Sequence, residues 1–229
     1  MALLTKDYTT QTNRRILVID QAISEEMGQH LYEYVNQHII WAFDANEQNN
    51  GDNVQFIHTL DNDLIKSSPL WQHLQRYINK FYGPGYIPYN CSINHTRFGD
   101  NPMDHRDTYD ESAKDVSLLL YLNPYWNKNF SGETVYFDEQ GEIELSVLPK
   151  FCRLAMHEGY VNHASRAPSR LLKKSRYTLA IKATPDTKYR IQRLADDEQS
   201  ADDEPHHTTA HLENYIFGQT RTSDEHTAC

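Results

Sequence analysis

Apolar residues alternate with polar residues in short runs through the middle of the chain, and turn-forming residues separate the runs. Because successive side chains of a strand point to opposite faces, such runs predict half-buried β-strands. The predicted strands span residues 89–98, 116–122, 133–137, 143–148, 151–157 and 176–182. Short, evenly spaced strands favour a sandwich or barrel of antiparallel strands, which we place over about residues 86–183.

Two helices are predicted ahead of these strands, after a short strand at residues 15–19. Ser24 is the predicted N-cap of the first helix, and Ser68 is that of the second, where Pro69 takes the first helical position and Gly83 ends the helix. The apolar stripe of the first helix consists of Met27, Leu31, Val35 and Ile39. One apolar face per helix predicts that both helices pack against the strands as supports.

The two ends of the chain lack these patterns. Residues 1–13 are polar and are expected to fray. Residues 186–229 carry acidic runs with few apolar neighbours, which is typical of a flexible tail. Three histidines of this tail have no core around them, so a metal site is the less favoured interpretation for His206, His207 and His211. We therefore expect one domain over residues 14–185.

Charge and composition argue against several classes of partner. The chain has 22 basic and 32 acidic residues, a formal net charge of -10, whereas nucleic acids and anionic membranes attract basic surfaces. No apolar run approaches the ~18 residues of a membrane span, and the first residues lack a signal-peptide pattern. Three cysteines, far apart along the chain, do not suggest a disulfide scaffold. We expect a cytoplasmic protein with no nucleic-acid or membrane partner; the oligomeric state stays open.

A His-x-Asp pair is the first candidate for chemistry. His105 and Asp107 are two residues apart, so on a strand they would share a face. Two histidines and one carboxylate form the open metal site of non-haem Fe(II) oxygenases. His163 is the candidate for the second histidine, and His157 is the alternative. Two further carboxylates could replace Asp107 but lie in a polar loop: Asp110 and Glu111.

The last predicted strand is the second candidate. Arg176 and Thr178 share one face of it, and the apolar residues share the other. If the first face is interior, a guanidinium is buried there, and burial is costly unless an anion pairs with it. Its planar fork fits a carboxylate, so the strand predicts a site for a dicarboxylate cosubstrate. The alternative is an edge strand with Arg176 in solvent.

An ordered set of short motifs over about residues 90–183 contains both candidates. In chain order the set consists of Phe98-Gly99, His105-Arg106-Asp107, Leu119-Leu120-Tyr121-Leu122-Asn123, Trp126, Ser131-Gly132-Glu133-Thr134, Pro149-Lys150, His163 and Arg176-Tyr177. In this order, with helices before it, the chain resembles the Fe(II)/2-oxoglutarate-dependent dioxygenases, specifically their prolyl 4-hydroxylase-like branch. No single motif is decisive, but the ordered set is specific.

The resemblance implies an α+β fold that is mainly β: a double-stranded β-helix (jelly-roll, cupin-like) core with supporting N-terminal helices. The implied Fe(II) ligands are His105, Asp107 and His163. The implied ligands of 2-oxoglutarate are Arg176 for the C5 carboxylate, with the hydroxyls of Tyr121 and Thr178. Lys173 is the alternative to Arg176, and a purely structural aromatic is the alternative for Tyr121.

The resemblance also implies an enzyme that uses O2 to hydroxylate an unactivated C–H bond and releases succinate and CO2; ascorbate is a further candidate cofactor. An amino acid, a prolyl or peptidyl residue or a small metabolite would suit as substrate. Arg166 and Arg170 could hold an anionic substrate group, although solvated loop cations are the favoured interpretation. A Zn-dependent cupin-like enzyme and a non-enzymatic metal-binding jelly-roll module remain as rival functions.

Overall fold

Two antiparallel sheets, three α-helices and a short 3-10 helix (Lys128–Phe130) form the part of the chain that the computed structural model describes, residues 2–45 and 54–187. The strands are β1 (Leu3–Thr9), β2 (Arg15–Asp20), β3 (Ala42–Ala45), β4 (Val54–Leu60), β5 (Tyr86–Thr96), β6 (Val116–Tyr121), β7 (Thr134–Phe137), β8 (Ile143–Val147), β9 (Leu154–Glu158), β10 (His163–Ser165) and β11 (Arg176–Pro185). The helices are α1 (Glu25–Gln37), α2 (Asn62–Ser67) and α3 (Pro69–Phe81). The predicted tail, with His206, His207 and His211, lies outside the described residues from position 188 onward.

The large sheet has eight strands in the order β1-β2-β9-β6-β11-β5-β4-β3, and the small sheet has three in the order β10-β7-β8. Every pairing is antiparallel. Buried side chains of both sheets pack together in one core layer, which consists of Ile16, Val18, Leu119, Tyr121, Tyr136, Val147, Ala155 and Val161. The predicted mainly-β jelly roll with N-terminal helices is confirmed.

A second core layer lies between the large sheet and the helices. Leu31 and Val35 of α1 and Leu74 of α3 pack there against strand residues such as Leu118 and Leu120. Alternate side chains of β6 therefore pack in the two different core layers, because neighbouring side chains of a strand point to opposite faces. A strand buried on both faces reads as a continuous apolar run, and β6 is buried at all six positions.

Both predicted helix starts are confirmed. The Ser24 hydroxyl accepts a hydrogen bond from the Met27 amide at 3.1 Å, and the Ser68 hydroxyl accepts one from the Trp71 amide at 3.1 Å. These caps satisfy amides that have no partner within the first helical turn. Of the helices in the described ranges, none combines the length and the apolar character that a membrane span requires.

Several short elements were not predicted. The expectation that residues 1–13 fray was wrong, because β1 pairs with β2 and its Asp7 forms an ion pair with Arg15 at 2.7 Å. Most β1 side chains are exposed, so main-chain pairing at a sheet edge forms this strand without an apolar pattern. The strands β3 and β4 and the helix α2 were also missed, and β10 has only three residues, too few to show alternation.

Candidate metal and carboxylate site

The structure brings His105, Asp107 and His163 together. His163 begins β10, and its main chain exchanges two hydrogen bonds with that of His105, both at 2.9 Å. The Asp107 amide donates to the Gly159 carbonyl at 2.9 Å, which fixes the segment beside the end of β9. One candidate ligand atom from each of the three residues lies within 4.8 Å of the others. The predicted His-x-Asp and His set is therefore a spatial cluster.

Backbone carbonyls orient both imidazoles. The Nδ1 atom of His105 lies 3.1 Å from the Met103 carbonyl, and that of His163 lies 3.0 Å from the Val161 carbonyl. Because a carbonyl oxygen only accepts, each Nδ1 carries a proton. In the neutral ring, Nε2 then has the lone pair that a metal needs. Both Nε2 atoms face Asp107, at 3.6 Å from Oδ1 and 3.8 Å from Oδ2 respectively.

Burial and charge set the protonation of these ligands. Burial raises the pKa of the Asp107 carboxyl, but the neighbouring His163, His105, His157 and Lys182 together hold that pKa well below its usual range. Burial, with His157 beside it, holds the pKa of His163 well below 6.5. Burial lowers the pKa of His105, but Asp107 and the Met103 carbonyl together hold that pKa above its usual value. An ionised carboxylate and a neutral buried imidazole are the forms that bind a divalent cation.

Three more side chains surround the Asp107 carboxylate. The Ser117 hydroxyl donates to Oδ2, and the Lys182 ammonium lies 2.9 Å from Oδ1. His157 is completely buried, with Nε2 at 3.5 Å from Oδ2 and without a hydrogen-bond partner among the described residues. Sequence reasoning missed Ser117 and Lys182, although Lys182 continues the face of β11 that begins with Arg176.

Arg176 lies in the interior with 0% of its surface exposed. Its Nε donates to the Gly132 carbonyl at 2.8 Å, and its two terminal nitrogens donate to the hydroxyls of Thr178 at 2.8 Å and Thr134 at 3.0 Å. Tyr121 packs on the guanidinium at 5.4 Å and donates to Thr134 at 2.8 Å. A guanidinium has five N–H groups, so one remains on each terminal nitrogen.

This arrangement can hold an anion. Among the described residues no carboxylate forms an ion pair with Arg176, and a buried cation is costly without one. Two N–H groups on adjacent nitrogens match the two oxygens of a carboxylate. The alternative residue, Lys173, is exposed to solvent. The burial of Arg176 rules out the alternative of an edge strand with this side chain in solvent.

The remaining predicted residues stay outside this cluster. Arg166 and Arg170 are exposed, and Arg166 packs over the Phe137 ring at 5.5 Å. Asp110 and Glu111 lie in an exposed loop, as predicted, and are not part of the metal-ligand cluster. Among the described residues neither arginine forms an ion pair with Asp107 of the cluster, and their part in substrate binding stays a prediction.

Comparison with known proteins supports the fold. No family model and no curated protein matches the chain. A Pseudomonas putida prolyl-4-hydroxylase superposes with a TM-score of 0.56 and 18% identity, over 74% of this chain and 91% of that chain. A Trichoplax adhaerens prolyl hydroxylase, solved with a hypoxia inducible factor peptide, superposes with a TM-score of 0.57 and 14% identity, over 77% of this chain and 86% of that chain. A Burkholderia pseudomallei oxidoreductase of the 2OG-Fe(II) oxygenase family superposes with a TM-score of 0.55 and 12% identity, over 74% of this chain and 85% of that chain. The chain therefore has the fold of these prolyl hydroxylases and 2OG-Fe(II) oxygenases.

Proposed function

We propose that this protein is an Fe(II)- and 2-oxoglutarate-dependent dioxygenase. The observation that carries the proposal is a buried arginine on the face of β11 that also contacts a cluster of two histidines and one carboxylate. Arg176 begins that face, and Lys182, six residues later on it, contacts Asp107 of the cluster. A metal site and a carboxylate receptor thus line the same interior.

His105, Asp107 and His163 would hold Fe(II) and leave open positions for 2-oxoglutarate and O2. The bound metal would supply the O2 activation that couples oxidative decarboxylation of 2-oxoglutarate, to succinate and CO2, with hydroxylation of a C–H bond. The carbonyl-bound Nδ1 atoms fix which ring nitrogen faces the metal. The two remaining N–H groups of Arg176 would take the C5 carboxylate.

Tyr121 and Thr178 complete the carboxylate receptor in this proposal. Both side chains are buried, and both hydroxyls belong to the hydrogen-bond network around Arg176. The Thr178 hydroxyl accepts from the guanidinium, which leaves its own proton for a ligand oxygen. The Tyr121 ring packs on the guanidinium and would keep water away from an ion pair between Arg176 and a bound carboxylate. A dry receptor strengthens each charge-assisted hydrogen bond.

We further propose a cytoplasmic enzyme that hydroxylates an unactivated C–H bond of an amino acid, a prolyl or peptidyl residue, or a small metabolite, with ascorbate as an accessory reductant. The peptide bound to the Trichoplax adhaerens enzyme keeps prolyl peptides among the candidates. A Zn-dependent cupin-like enzyme and a metal-binding module need no buried arginine. Arg176 therefore favours the oxygenase over both rivals.

The test measures succinate from the purified protein with Fe(II), 2-oxoglutarate, O2 and ascorbate, across a panel of amino acids, prolyl peptides and metabolites. Asp107→Ala and His163→Ala are expected to abolish stimulated succinate formation, because each removes a metal ligand. Lys173→Met, which removes an exposed cation near the same strand, is the control and is expected to retain it. Succinate formation that persists in both ligand variants would refute the proposed ligand set.

A further inference from the structure

A row of three side chains lies across adjacent strands beneath Asp107. Ser117 of β6 pairs in register with His157 of β9 on one side and with Lys182 of β11 on the other. Residues paired across antiparallel strands point to the same face. The three side chains therefore reach the carboxylate from one continuous surface of the large sheet.

The two oxygens of Asp107 have different partners. Oδ2 accepts from the Ser117 hydroxyl and lies 3.5 Å from His157 Nε2, and both of these residues are buried. Oδ1 lies 2.9 Å from the ammonium of Lys182, whose side chain is 29% exposed. A buried partner can move away only if the side chains packed around it also move. A long lysine side chain that reaches solvent can withdraw by rotating its own bonds.

The hydrogen-bonding state of His157 follows from its surroundings. Its Nδ1 lies 3.4 Å from the hydroxyl of Tyr136, which is also fully buried. When that hydroxyl donates to Nδ1, the ring proton is on Nε2, which faces Oδ2 and has no other partner among the described residues. His157 thus offers the carboxylate a donor, whereas His105 and His163 offer the metal a lone pair.

We propose that His157 and Ser117 are positioning residues that hold Oδ2 of Asp107, and that Lys182 is a counter-ion on Oδ1 that a divalent metal displaces. The proposal rests on the proposed function only in that the cluster binds a divalent cation. Because Oδ2 is held, the carboxylate does not have to rotate when the metal binds, and Oδ1 already points to the metal position. Before the metal binds, the ammonium compensates the buried charge.

The test is Mn(II) binding to the full-length protein, measured by calorimetry at one pH and salt concentration. His157→Phe is expected to weaken binding by about tenfold or more, as losses of outer partners of metal ligands do. Ser117→Ala, a smaller change, is expected to weaken it in the same direction. Lys182→Met is expected to tighten binding by about three- to fivefold, because the metal no longer breaks the ion pair between Lys182 and Asp107.

Removing any positive charge favours cation binding at long range, so a charge control is needed. Lys66→Met removes the same charge from an exposed position of α2 and is expected to change the Mn(II) dissociation constant by less than Lys182→Met does. Equal effects of the two lysine variants, or weaker binding in Lys182→Met, would overturn the counter-ion role. Unchanged Mn(II) binding in Ser117→Ala and in folded His157→Phe would overturn the positioning role.

Two further measurements distinguish this proposal from a ligand role of His157 and from failure of the proposed function. Pulsed EPR of the Mn(II) protein should count two coordinated imidazoles, and a third would make His157 a ligand and overturn its positioning role. If His157→Phe does not fold, as judged by circular dichroism, Ser117→Ala decides. Mn(II) binding that Asp107→Ala leaves intact would instead contradict the proposed function itself.

Discussion

Replacing Arg176 tests the carboxylate receptor most directly. Arg176→Met keeps the unbranched apolar stem of the side chain and removes all five N–H donors. In the structure three of them bind Gly132, Thr178 and Thr134 at 2.8–3.0 Å, and the other two are available to a ligand. We expect 2-oxoglutarate binding to be lost while Mn(II) binding persists, because the metal ligands belong to other strands and loops.

The magnitude follows from the two donors. A hydrogen bond to a charged group contributes roughly 1.5–3 kcal/mol, so two contribute about 3–6 kcal/mol. That energy corresponds to about two to four orders of magnitude in the dissociation constant. The stability of the ligand-free protein should change less than the binding free energy of 2-oxoglutarate does. The loss of three internal hydrogen bonds is offset because the substitution also removes a buried cation without an anionic partner among the described residues. We expect its free energy of unfolding to change by no more than about 2 kcal/mol.

The assay is calorimetric titration of 2-oxoglutarate into the Mn(II)-loaded protein without O2, for wild type, Arg176→Met and Lys173→Met. A second readout is thermal unfolding, in which 2-oxoglutarate should raise the melting temperature of wild type and Lys173→Met only, because binding stabilises the folded state. Wild-type affinity in Arg176→Met together with its loss in Lys173→Met would refute the reasoning. It would assign the C5 carboxylate to the exposed lysine instead.

Two further predictions concern stability. Burial, together with the nearby charge of Arg97, lowers the pKa of His95 below 6.5. Below pH 6.5 the unfolded chain therefore binds a proton that folded His95 does not. The free energy of unfolding should fall as the pH drops, and it should fall less steeply in His95→Phe. Equal slopes in chemical denaturation at several pH values would contradict this. A Cβ added at Gly28 would lie 2.5 Å from the Cys152 sulfur, so Gly28→Ala should lose about 1–3 kcal/mol of stability in denaturant titration, whereas exposed His30→Ala should change little.

The sequence was informative where a local pattern carries its own physical cause. The caps at Ser24 and Ser68 were predicted because a serine hydroxyl binds amides two or three residues away. A short apolar run located β6, and period-two alternation located β11 and placed Arg176 and Thr178 on one face. Elements without such a pattern escaped: β1, with its exposed side chains, and β10, with three residues, owe their existence to the strands beside them.

The candidate site divides in the same way. The residue types and the His-x-Asp spacing of His105 and Asp107 determined that a metal was the candidate ligand. The sequence also favoured His163 over His157, but only the structure shows the main-chain bridge that holds His163 beside His105. The role of Lys182 required its register with Ser117. Amino-acid order specifies which face of its own strand a side chain occupies. Which distant strand lies opposite is decided by packing of the whole sheet, because pairing partners here are separated by dozens of residues and no local rule connects them.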